Sequence, residues 1–140
     1  MFEELQLEPH PEGGFYRQIY KSPQRVMRGG DSRAALTIIH FLLRAGEISR
    51  WHRVTSDEVW THLQGDALRL FRVDGSSVVI DKSAPLHVVP AGEWQAAEPL
   101  GAYALVACFV APGFEFEDFT MMANDAAAAA ALPDELRRLL

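Results

Sequence analysis

Only one cysteine, Cys108, stands among the 140 residues. An internal disulfide framework is therefore excluded, and a reducing cytosol suits the chain. No apolar run approaches the length that spans a bilayer. No Lys/Arg cluster stands out, and 13 basic against 19 acidic residues leave a net charge of −6. Nucleic acid is not expected as a partner. The N-terminus, MFEELQLEP, carries three acids within its first eight residues, unlike the basic start of a secretory signal, so a cytoplasmic location is expected. There is no internal repeat and no linker, and the length suits one domain with a real core.

What is present is ordinary for a soluble globular protein: 49% hydrophobic and 23% charged residues. The pattern is one of short strands. Phe15 to Tyr20 alternates, Ala35 to Arg44 is a strongly apolar strand, and Val59 to Leu63 is rich in β-branched and aromatic residues. Leu68 to Val73 and Ser77 to Ile80 make a hairpin around Asp74-Gly75. Leu86 to Val89, Trp94 to Glu98, Ala102 to Val110 and Phe114 to Met121 complete the set. Lys21 to Arg33 is polar and Gly-containing and reads as an exposed loop. Helices are expected only at the ends: residues 1–8, stopped before Pro9, and 124–140, capped by Asn124 and interrupted or restarted at Pro133. Residues 9–122 between them read as an all-β sandwich or barrel, whose closure leaves a mouth for a small ligand.

The chemistry concentrates between Gly46 and Gly65, GEISRWHRVTSDEVWTHLQG. His52 and Glu58 lie there, flanked by Trp51 and Trp60. Alternation puts Glu58, Trp60 and His62 on one strand face. A carboxylate and an imidazole are costly to bury unpaired, so an inward face of this kind points to a site. Together His52 and Glu58 are the minimum equipment for general acid/base catalysis. The competing reading is a structural hydrogen-bonded pair.

These residues resemble a known family. Gly46…His52-x-Val54…Glu58…Gly65 is similar to the first cupin motif, and Pro90-Ala91-Gly92-Glu93-Trp94-Gln95 to the second. PHPEGGFYRQIYKS (Pro9 to Ser22), WHRVTSDEVW and VAPGFEFEDF resemble signatures of the DUF985, or cupin-5, subfamily. The likeness runs in order to about Met122. It implies an RmlC-like double-stranded β-helix, or jelly roll, with a pocket inside the barrel and pairing into a homodimer. It does not imply a reaction, because one fold hosts many.

The sequence departs from a metal-binding cupin, for which three His and one Glu are expected. The second His position is Val54 and the third is Gln95. No cofactor is expected; if a divalent metal is held, the resemblance assigns it to His52, Glu58 and Gln95. His62 is too far along its strand from Glu58, about 13 Å, to share an ion. Without metal, His52, Glu58 and Gln95 are hydrogen-bonding groups. Trp51, Trp60, Trp94 and Tyr16 offer flat surfaces to a ligand, His62 and His40 are further pocket candidates, and Glu12 in the Glu-Gly-Gly turn is placed at a pocket rim. His10 and His87 read as surface or satisfied core residues, and Cys108 as an inert buried thiol. The functional expectation is a small-molecule-binding cupin for a nucleotide, sugar derivative or other polar or aromatic ligand. A metal-independent isomerase or epimerase is the second reading, and a metal-dependent oxygenase the third.

Overall fold

A computed structural model describes residues 2–140 of the chain. Its strands are β1 (Glu8–Pro9), β2 (Phe15–Lys21), β3 (Arg25–Arg28), β4 (Asp31–Ala34), β5 (Thr37–Arg44), β6 (Ser49–Val54) and β7 (Asp57–Gly65). There follow β8 (Leu68–Phe71), β9 (Ser77–Ile80), β10 (Leu86–Val89), β11 (Gln95–Pro99), β12 (Tyr103–Ala111) and β13 (Phe119–Met121). Six strands form one antiparallel sheet in the order β1-β2-β5-β12-β7-β10, and five form a second in the order β13-β6-β11-β8-β9.

The inner face of the six-stranded sheet follows from alternation and register. Thr37, Ile39, Phe41 and Leu43 on β5 lie opposite Val110, Cys108, Val106 and Ala104 on β12. On the other side of β12, Val110 pairs with Glu58, Cys108 with Trp60 and Val106 with His62. Phe41, Leu43, Trp60, Val106 and Cys108 from this sheet meet Leu68, Leu70, Ile80 and Ala97 from the other in a buried core. Burying one such large apolar side chain contributes about 1.5–3 kcal/mol. At the other end of the same rows the side chains become polar, and there the core gives way to a cavity.

A second cluster covers the outer face of the five-stranded sheet. Trp51, Ala96 and Met122 pack against Leu132, Leu136 and Leu139 of the C-terminal segment. The Trp51 Nε1–H donates to the Leu136 carbonyl at 2.9 Å. That segment is the helix α1 (Ala126–Ala131) followed, after Pro133, by a 3-10 helix over Asp134–Leu139.

Four local expectations are corrected. Residues 21–33 are not simply a loop: β3 and β4 form a separate hairpin around Gly29-Gly30. Its polar composition hid the pairing, because the hairpin is held from outside by Arg33, which reaches Asp118, 85 positions away. Residues 114–121 are not one strand. Phe116–Asp118 is a 3-10 turn, and only Phe119–Met121 joins the sheet, since Arg28 and Arg33 draw Asp118 sideways. The cap of α1 is Asp125, whose carboxylate accepts from the Ala128 N–H at 3.1 Å; Asn124 ends the preceding 3-10 turn. The N-terminal helix shrinks to one 3-10 turn, Glu3–Leu5, closed by Gln6 at φ 51°.

Candidate functional site

The loop joining β1 to β2 carries His10 and Glu12 into the barrel. Its Gly13-Gly14 pair makes this approach possible. Both have positive φ, +114° and +69°. A Cβ on Gly13 would collide with the Ile48 carbonyl, and one on Gly14 would lie 2.7 Å from the Leu42 carbonyl oxygen. Only glycine tolerates both the conformation and the closeness. The Arg50 N–H then donates to the Glu12 carbonyl at 2.8 Å, stitching the loop to β6.

With the loop seated, Glu12 meets His52. Glu12 Oε2 lies 3.1 Å from His52 Nε2, and Ser49 Oγ donates to Glu12 Oε1 at 3.0 Å. His52 Nδ1 lies 2.7 Å from the Arg50 carbonyl, which can only accept, so Nδ1 carries a proton. A neutral ring therefore presents a lone pair on Nε2, and the proton between Nε2 and Glu12 belongs to the carboxyl. Electrostatics agrees with this assignment. Burial raises the Glu12 pKa to about 8 and lowers that of His52, despite the pull of Glu58 on the imidazole.

Glu58 faces the same space from β7. Burial raises its pKa to about 7; His52 opposes that rise and Glu12 adds to it. Gln95 Nε2 donates to Glu58 Oε1 at 2.7 Å, while Gln95 Oε1 accepts from Trp60 Nε1 at 2.7 Å. The Cys108 thiol also bonds to Glu58, and burial beside that carboxyl pushes its own pKa well up, so it stays protonated. His10 Nδ1 accepts from the Glu12 N–H at 3.1 Å, and burial lowers its pKa to about 3, so it is neutral.

His10, Glu12, His52, Glu58 and Cys108 line a cavity of about 270 Å³, close to the lower end of small-molecule sites, about 300–1,000 Å³. Tyr16, Phe114, Phe116 and Phe119 form its walls, and Glu8, Gln18, Lys21 and Glu115 also line it. His52 and Phe119 stack with centroids 5.5 Å apart.

Of the residues singled out from the sequence, Glu12, Tyr16, His52 and Glu58 line this cavity, and Gln95 supports Glu58 from behind. Glu12 sits deep beside His52, only 6% exposed, and not at a rim. Trp60 is buried core whose indole holds Gln95 in place. Besides Gln95 and Trp60, four more residues do not line the cavity. Trp51 lies on the opposite face of β6 from His52 and anchors the C-terminal segment. Trp94 packs with that outer cluster under the Arg53 guanidinium, 4.5 Å from its ring. His40 alternates with the cavity-lining Ile39 and so falls on the outer face. His62 shares the Glu58 face but lies at the far end of β7, bonded to the Asp66 carbonyl at 2.9 Å.

His10, Cys108 and the three phenylalanines were missed. Cys108 was detectable in principle, because it stands in register with Ile39 and Trp60. His10 was not, since its role depends on the path of a loop.

The metal set of a cupin does not fit these residues. Val54 lines the cavity where a second His is expected. Gln95 binds the Trp60 indole through its oxygen and turns its NH2, which cannot ligate a metal, toward Glu58. Among the described residues, no group of three or more His, Cys, Asp or Glu could hold a metal ion.

Two antiparallel sheets closed around a pocket of this kind define a double-stranded β-helix, the cupin jelly roll. The sequence model of the DUF985 family of the cupin superfamily matches residues 1–122, and the chain belongs to that family, which has no assigned reaction. Among solved structures it is similar to a Shewanella oneidensis protein, at 32% identity over 99% of this chain and 90% of that one, with a TM-score of 0.81. A hypothetical protein from Leishmania major is 28% identical, covering 94% and 93% of the two chains, with a TM-score of 0.77. At 14% identity, an uncharacterized Klebsiella pneumoniae protein with a double-stranded β-helix domain shares the fold, with a TM-score of 0.63 over 86% and 93%. No curated protein matches. Among the described residues, no helix is long and apolar enough to cross a membrane.

Proposed function

We propose that this cupin binds a small organic molecule in its barrel and moves a proton on it, as an isomerase or epimerase does. The observation that carries the reading is the 3.1 Å approach of Glu12 to His52 inside a cavity that Glu58 also faces. Burial raises both carboxyls toward the neutral range, so each can exchange a proton there. Glu12, with its proton against His52 Nε2, suits an acid, and Glu58, across the cavity, suits a base. In the proposed step a carbon-bound proton passes to Glu58, and the Glu12–His52 pair returns one elsewhere on the molecule. Proton count and oxidation state are conserved overall. A metal-dependent oxygenase is disfavoured by the donor set described above.

The test is deuterium incorporation. The protein is incubated in D2O with aldehydes, ketones, 2-oxo acids and aminoketones, and carbon-bound hydrogen is followed by proton NMR. Incorporation into at least one compound is expected, with a loss of at least about a hundredfold in His52→Ala and Glu58→Gln. If compounds bind but none exchanges, the protein is a binding module without this chemistry.

The same reading includes a cytoplasmic homodimer. The lone buried cysteine suits a reducing compartment. The outer face of the six-stranded sheet exposes Ile19, Tyr20, Leu63, Leu86 and Val88. A second copy is the natural cover for a mostly apolar face, because a two-fold contact makes the patch its own complement.

A further inference from the structure

The proton-transfer reading leaves the substrate class open, and the lining of the cavity narrows it. We propose that the bound molecule is a small organic cation, an amine or quaternary ammonium on a short apolar body.

The ionisable groups that line the cavity are unequal. Four are carboxyl groups: Glu12, Glu58, Glu8 and Glu115. The single ammonium in the lining, Lys21, is already held by Glu115 at 3.3 Å. Both imidazoles are kept neutral by burial. An anionic ligand would meet no unpaired cation in the lining, and its charge would oppose the ionisation of Glu58 and Glu12. An ammonium would meet carboxyl oxygens and the faces of Tyr16, Phe114, Phe116 or Phe119, whose negative quadrupoles attract cations.

The protonation of the cluster follows the same logic. Glu12 faces His52, His10 and Ser49, and Glu58 faces His52, Glu12, Gln95 and Cys108. None of these is a permanent cation, which is why burial holds both carboxyls protonated so far up the pH scale. A ligand ammonium supplies the missing positive charge and displaces a proton. Affinity for a permanent cation therefore rises with pH through the range near 7, where Glu58 ionises. A neutral ligand of the same shape gains nothing from that ionisation.

Isothermal titration of the purified full chain tests this with matched probes. Choline is compared with its neutral isostere 3,3-dimethylbutan-1-ol, and benzylamine with benzyl alcohol and benzoate. The cations are expected to bind about tenfold more tightly than their neutral partners. Choline affinity is expected to rise about tenfold from pH 6 to pH 8. Glu58→Gln should remove that rise. Glu115→Gln, a change at a half-buried position outside the apolar core, should weaken both cations a few-fold.

Benzoate or the alcohols binding as well as the cations would overturn the proposal, as would an absence of binding by every probe. Deuterium incorporation separates this from the parent reading. Exchange without cation preference removes only the ligand class, and cation preference without exchange removes only the chemistry.

Discussion

The burial of Glu12 and Glu58 has a measurable consequence for stability. Between about pH 4.5 and pH 7 to 8, the folded chain keeps protons on Glu58 and Glu12 that the unfolded chain has released. The unfolded state then binds fewer protons, so stability falls as pH rises through that window. His10 works oppositely: its folded pKa of about 3 lies below the usual 6.5, so it adds stability as pH rises between those values. His52 acts in the same sense as His10, and both contributions fade as pH rises past 6.5, where the carboxyls dominate. The melting temperature should therefore decline from pH 6.5 to 8.5, and Glu12→Gln and Glu58→Gln should each flatten the decline. A rise over that interval would mean that the buried carboxyls are already ionised. At this scale the sequence was partly legible. Strand alternation, the cost of burying a carboxylate and an imidazole, and the likeness to the cupin motifs pointed to His52 and Glu58. Trp51 was misplaced although it neighbours His52, because alternation separates adjacent residues only once the strand is known to be buried on both faces. In β6 one face meets the cavity and the other meets the C-terminal segment.

Among the elements, the 114–119 segment owes its position to a hairpin distant in sequence. Arg33 clasps Asp118 through two bonds of 2.7 and 2.9 Å, and Arg28 adds a third contact at 3.0 Å. Arg33 is 5% exposed, and its pull holds the Asp118 carboxyl below the usual range. Removing one partner leaves the other charge without its bidentate compensation. Arg33→Ala should therefore destabilise the fold. Hydrogen exchange should show faster exchange of the amides of residues 114–119, with β5 and β12 unaffected. Uniform acceleration across the barrel would show that Arg33 stabilises the whole fold and is not a local strap. None of this was readable in advance. The β5, β7 and β12 strands announce themselves by apolar pattern. Polar β3 and β4, and the break at Phe116, are set by a partner 85 positions away.

For the whole molecule, the barrel was the most legible level, because frequent turns and ordered motifs constrain the path from Pro9 to Met122 more than any single side chain does. The quaternary prediction belongs here too. The protein should sediment as a dimer, and Leu86→Glu, on the edge strand β10, should shift it toward monomer without changing the melting cooperativity. A monomeric parent would refute the assignment of that face. One more consequence follows from the Trp60–Gln95–Glu58 chain of hydrogen bonds. Two steps connect an indole to a titrating carboxyl, so charging Glu58 alters the field at a fluorophore. The emission maximum should move with an apparent pKa near 7 and shift again on ligand capture, and Trp60→Phe should silence both signals. The barrel carries its own optical indicator.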